Sequence, residues 1–118
     1  MTAADPTEVA TRQIKRALRL LASDSSEQIN YLQELGVSPD EIALEFDDAF
    51  RRAKGASEMG LLPKEVMAAA QPVGEHLKQM TDSSVEIWTK DGLGSSPEWQ
   101  LLRSLAKEAI VKVSKITE

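Results

Sequence analysis

The chain has 118 residues, with 14 Lys and Arg against 19 Asp and Glu, a net charge of −5, and no cysteine. That length suits one domain built on one hydrophobic core, since two halves would each be marginal. The acidic balance speaks against nucleic-acid binding, which needs a basic footprint, and the lack of cysteine excludes disulfides, thiolate metal centres and a Cys nucleophile.

Aromatic residues make up only 4%, so the core must be built from Leu, Ile, Val, Ala and Met. No apolar run reaches the roughly 18–20 residues that span a membrane. The start, MTAADPTEVATRQ, has no apolar signal core. The expected address is cytoplasmic, with no membrane partner.

Taken in chain order, the first helix is expected from Thr7 to Ala22, with Asp5 or Thr7 as cap and Pro6 in the first turn. Ala10, Ile14, Ala17, Leu18 and Leu21 form its apolar stripe. Arg12, Lys15, Arg16 and Arg19 form a basic row that either faces water or pairs with acids of a neighbouring helix. Asp24 or Ser25 can cap a short second helix that ends at Leu35 and presents Ile29, Leu32 and Leu35 on one side. Gly36 then suits a left-handed cap with Val37 packing back. Ser38, Pro39 and Glu41 read as a capping box that opens a third helix.

The third helix is expected from Pro39 to Lys54, stopping at Gly55, with Ile42, Phe46, Ala49, Phe50 and Ala53 inward. GASEMGLL reads as a loop. Pro63 opens a fourth helix striped by Val66, Ala70, Val73, Leu77 and Met80. Pro72 within it removes a hydrogen bond at a cost of about 3 kcal/mol, so a kink or break is expected there. Residues 81–96 read as an irregular loop, with VEIW a strand or a helical turn. Ser95, Pro97 and Glu98 open the last helix, whose face runs from Trp99 through Leu102, Leu105, Ala106, Ala109, Ile110 and Val113 to Ile116. Leu101 and Val111 lie off that face, so this helix is expected to sit centrally with cover on more than one side.

The pattern predicts an all-α fold, a small single-domain bundle of about five helices spanning 1–118, with 1–6 and 117–118 frayed. His76 is the only histidine and has no serine elbow or orienting acid beside it, so a surface or boundary position is expected. DGLGSSPEW is glycine-rich before a helix start but lacks the lysine of a phosphate-binding loop.

The acids of the third helix carry the most chemistry. Glu41, Glu45 and Asp48 share one row bordering the apolar face, and Asp40 and Asp47 form a second. Asp47 precedes Arg51, and Asp48 precedes Arg52, by four residues, an orientation worth roughly 0.2–0.5 kcal/mol per pair. Those pairs, with Asp40 and Glu41 suited to the positive N-terminus of the helix, account for the acids without a ligand.

Glu45 and Asp48 also form an ExxD pattern. It resembles the second motif of the all-α nucleoside triphosphate pyrophosphohydrolases, whose two neighbouring helices carry EExxE and then ExxD. The resemblance covers about Glu27 to Asp48. In the first motif Glu27 matches, while Gln28 and Tyr31 stand where that family has acids. It implies a degenerate Mg²⁺-dependent enzyme with Glu27, Glu45 and Asp48 as ligands.

The residues themselves favour a non-enzymatic protein that binds another protein: an inhibitor, an immunity or antitoxin-like neutraliser, or an adaptor, with no cofactor. A basic partner would complement the negative surface. Glu41, Glu45, Asp47, Asp48 and the loop tryptophan Trp88 are the expected contact residues. Homo-oligomeric scaffolding is a third expectation.

Overall fold

The computed structural model describes residues 5–83 and 85–117. Among them the chain forms six α-helices and one 3-10 turn, and no strand. The helices are α1 (Pro6–Ala22), α2 (Ser25–Leu35), α3 (Asp40–Glu58), α4 (Lys64–Thr81), α5 (Lys90–Ser95) and α6 (Pro97–Ile116), with the turn at Val85–Trp88. Five are long enough to match the five expected. The fraying expected at 1–4 and 118 falls outside the described residues; α1 begins at Pro6, capped by Asp5, which accepts the Thr7 N–H at 2.8 Å.

Four helices form a closed ring of contacts. α1 packs on α3, α3 on α4, α4 on α6, and α6 back on α1. α5 meets α2, α6 and the 3-10 turn. The predicted stripes meet inside the ring: Ile14, Leu18 and Leu21 of α1, Ile42 and Phe46 of α3, Val66, Val73 and Met80 of α4, and Trp99, Leu102 and Val113 of α6 are all buried. Each such side chain contributes roughly 1.5–3 kcal/mol on leaving water. No described helix is long and apolar enough to cross a membrane.

The helix ends show where local signals prevailed and where packing overrode them. Asp24 caps α2 by accepting the Glu27 N–H at 2.9 Å and the Ser26 hydroxyl at 2.7 Å, and these bonds hold its carboxyl below its ordinary pKa. α2 closes as expected at Gly36 (φ 69°), where the Val37 N–H reaches the Leu32 carbonyl at 3.1 Å. The Ser38 capping box does not form: the Ser38 hydroxyl donates to the Asp40 carboxylate, and α3 starts without a side-chain cap.

α3 also runs past Gly55 to Glu58. Gly55 has no positive φ, while Ala56 one residue later is buried, so burial carries the helix onward. The stop is Gly60 (φ 74°), with the Leu61 N–H on the Ala56 carbonyl at 2.9 Å. α4 is continuous through Pro72, so no break occurs there. Pro72 and Ala68, whose carbonyl loses its partner, are both exposed, and water can replace the missing bond.

In place of the expected loop, a 3-10 turn at Val85–Trp88 and the short helix α5 at Lys90–Ser95 stand between α4 and α6. Thr89 caps α5 by accepting the Gly92 N–H at 3.0 Å. A Cβ at Gly92 would lie 2.3 Å from the Glu86 carbonyl oxygen, so the glycine lets α5 rest on the 3-10 turn. Trp99, fully buried, donates to the Ile87 carbonyl at 2.6 Å and meets Trp88 edge-on at 5.6 Å. α6 is capped by Ser96, not Ser95. It belongs to the ring but is not enclosed: Leu101 and Val111 are 51% and 54% exposed.

Two polar residues are buried against expectation. His76 lies inside, its Nε2–H donating to the Glu98 carbonyl at 2.8 Å. Gln28 replaces Leu35, now exposed, on the inner face of α2. Its amide nitrogen donates to the Leu20 and Leu21 carbonyls at 3.0 and 3.1 Å, and its oxygen accepts from Arg103 Nε at 3.0 Å. Arg103 also donates to the Leu93 carbonyl, so one chain of bonds ties α1, α2, α5 and α6 together.

Candidate functional site

The predicted contact residues do not share one surface. α3 divides them, because residues on a helix separate by about 100° per step. Glu45 and Asp48 face a groove of about 460 Å³ between α1, α2 and α3. Asp47 faces the other way, into a groove of about 620 Å³ between α3 and α4 floored by Phe46, Phe50 and Gly74. Glu41 and Trp88 line a third, shallow depression that runs from Gly36 to Lys90. Trp88 is half-buried and its Nε1–H donates to the Met80 carbonyl at 3.3 Å.

The first groove holds the densest chemistry. α1 supplies Gln13, Arg16, Ala17 and Leu20; α2 supplies Tyr31; α3 supplies Glu45, Asp48, Ala49 and Arg52. The spacings are helical: 13, 16, 17 and 20 form one row of α1, and 45, 48, 49 and 52 the facing row of α3. Tyr31 donates its hydroxyl to Glu45, with both carboxylate oxygens within reach at 2.6 and 2.7 Å. Burial, then the Glu45 hydrogen bond and charge, push the Tyr31 phenol up to about 12, against a partial opposing pull from Arg16.

Two arginines and two carboxylates line this groove, yet among the described residues none of the four forms an ion pair with another. The expected Asp47–Arg51 pair does form on the outer surface at 2.9 Å; the Asp48–Arg52 pair does not. Of the basic row, Arg16 alone turns to this groove, while Arg12 and Lys15 line a separate depression beside Leu62 and Pro63. The side-chain oxygen of Gln13 is buried without a hydrogen-bond partner. Gln13 is the groove residue that sequence reading missed; its spacing of four and seven from Ala17 and Leu20, beside the apolar stripe, was the available signal.

The ligand set implied by the pyrophosphohydrolase resemblance is not assembled. Glu27 is exposed, Glu45 is engaged by Tyr31, and Gln28 spends its amide on α1 and α6. No group of three or more His, Cys, Asp or Glu able to hold a metal ion occurs among the described residues. The residues at these positions do not fit a divalent cation, which needs several converging oxygen ligands. Compared with family models, curated proteins and solved structures, the chain matches none of them.

Proposed function

We propose that this chain works without catalysis, by binding a basic protein partner through the outward ridge of α3, as an inhibitor, a neutraliser or an adaptor does. One observation carries the reading. Leu44 is 53% exposed at the crest of α3. Its four nearest neighbours along the helix, at i±3 and i±4, are Asp40, Glu41, Asp47 and Asp48. An exposed leucine ringed by four carboxylates is an arrangement that gives the bundle itself no buried apolar contact. It is a good one for a partner that covers the leucine and supplies lysines or arginines around it. Asp47 is compensated by Arg51; Glu41 and Asp48 have no ion-pair partner among the described residues.

Apolar contact at the centre and charge at the rim is the usual division of labour in an interface, with the rim setting encounter rate more than affinity. The test is capture from the source organism with the unmodified chain and with Leu44→Glu. The expected result is a stoichiometric basic protein that associates more slowly as salt rises and is lost with the variant. Both chains must give the same circular dichroism. Recovery of nothing but the bait, or equal capture by Leu44→Glu, overturns the reading.

A further inference from the structure

The ridge of α3 shares only Asp48 with the groove behind it, and that groove has the makings of a second site. Arg16 and Arg52 bring two cations, Glu45 and Asp48 bring two anions, and these do not neutralise one another by direct pairing among the described residues. The set is electroneutral as a whole and has no internal ion pair among the described residues, although Glu45 accepts the Tyr31 hydroxyl. Gln13 adds a buried carbonyl oxygen that lacks a donor. Such an oxygen forfeits roughly 1–3 kcal/mol unless a donor reaches it. Ala17, Leu20 and Ala49 give the same groove an aliphatic floor. Its volume of about 460 Å³ falls in the range of small-molecule sites.

We infer that the α1–α2–α3 groove binds a free α-amino acid with an aliphatic side chain. A ligand that answers the charged groups of the groove needs a carboxylate for Arg16 and Arg52, a positively charged nitrogen donor for the acids Glu45 and Asp48, and an apolar body for the floor. The ammonium and carboxylate of a zwitterion meet the first two requirements in one small molecule. A simple anion would leave both acids without a counter-charge, and a simple cation would leave both guanidiniums unmatched. Tyr31 holds Glu45 in place through its hydroxyl, so the carboxylate is oriented before any ligand arrives. Guanidinium suits the carboxylate end because its planar fork can donate two parallel hydrogen bonds.

The probes are L-leucine, N-acetyl-L-leucine, which lacks the ammonium, and L-leucinamide, which lacks the carboxylate. Binding is read by calorimetry and by the side-chain amide signal of Gln13 in ¹⁵N–¹H NMR spectra of the whole chain. L-leucine is expected to bind and to move the Gln13 signal, and each derivative to bind at least tenfold more weakly. Arg52→Gln should weaken L-leucine binding tenfold or more, whereas Arg19→Gln, outside the groove, should leave it unchanged. The inference fails if L-leucine gives neither heat nor a Gln13 shift at millimolar concentration, if the derivatives bind as well as L-leucine, or if Arg52→Gln binds as the unmodified chain does.

Discussion

Two glutamines mark opposite conditions in one small bundle. Gln28, on the inner face of α2, is fully buried, and its amide bonds two carbonyls of α1 and the guanidinium of Arg103. Gln13, on the edge of α1, is half-buried and leaves its oxygen without a partner. The first amide closes the end of α1 and anchors α6; the second opens onto a groove of unpaired charges. Polar groups that are buried and satisfied hold a fold together, while those buried and unsatisfied are costly to keep and mark a place for a ligand. The difference separates the corner formed by α2, α5 and α6 from the groove between α1, α2 and α3, although α2 contributes to both.

The contrast is broken most forcefully at Gln28. Gln28→Leu keeps the bulk but strands the Leu21 carbonyl, leaves the Leu20 carbonyl with the Ser23 N–H alone, and leaves Arg103 with the Leu93 carbonyl as its one remaining acceptor among the described residues. Burial already pulls the Arg103 pKa downward, so its guanidinium depends on such partners. A loss of about 3 kcal/mol is expected, since a stranded buried group costs roughly 1–3 kcal/mol and a charged one more. Urea unfolding monitored by circular dichroism checks this. A change under about 1 kcal/mol would mean that the α2–α6 corner is held by apolar packing alone.

Gln28 also shows what was legible in the sequence and what was not. The all-α fold and the four long stripes were readable because helical periodicity is strong in Ile14–Leu21, Ile42–Ala53, Val66–Met80 and Trp99–Val113. Gly36 was readable because a left-handed cap has few alternatives. Gly55 misled because a glycine signals an end only when nothing beyond it needs burying, and Ala56 did. Gln28 and His76 were missed for one reason: each owes its burial to a partner distant in sequence, Arg103 and Glu98, which periodicity cannot show. In the groove, Glu45 and Asp48 were picked out by charge and spacing. Gln13 was passed over because a glutamine beside an apolar stripe looks like ordinary surface until its neighbours close over it.

A smaller effect is expected at the hydrogen bond that joins the two regions through α2. Tyr31→Phe removes the hydroxyl that orients Glu45. Glu45 is only half-buried, so water replaces much of the bond, and a loss of about 1 kcal/mol is expected at neutral pH. The pH dependence has a definite sign. The phenol rises from 10.0 to about 12 on folding, so the fold favours its protonated form. That contribution is fully present below pH 10 and is lost as pH climbs toward 12. The stability gap between the native chain and Tyr31→Phe should therefore stay constant up to pH 10 and close above it. A gap that stays unchanged between pH 10 and 12 would place the tyrosine in water and detach it from Glu45.

The smallest expected change tests the groove itself. Gln13→Met keeps the length of the side chain and removes an oxygen that has no donor, so no partner is stranded. Replacing a polar group whose loss leaves nothing unpaired is close to neutral or slightly stabilising, within about 0.5 kcal/mol. Substituting an apolar residue for glutamine should thus cost about 3 kcal/mol at position 28 and nothing at position 13. The two measurements belong in one denaturant series, where a common slope would show that both variants unfold from equally compact states. If Gln13→Met also costs more than about 1 kcal/mol, its oxygen is being satisfied in solution by a donor the bundle supplies or recruits. The groove would then be a second structural corner, and its unpaired arginines and acids would lose the strongest reason for being read as a site.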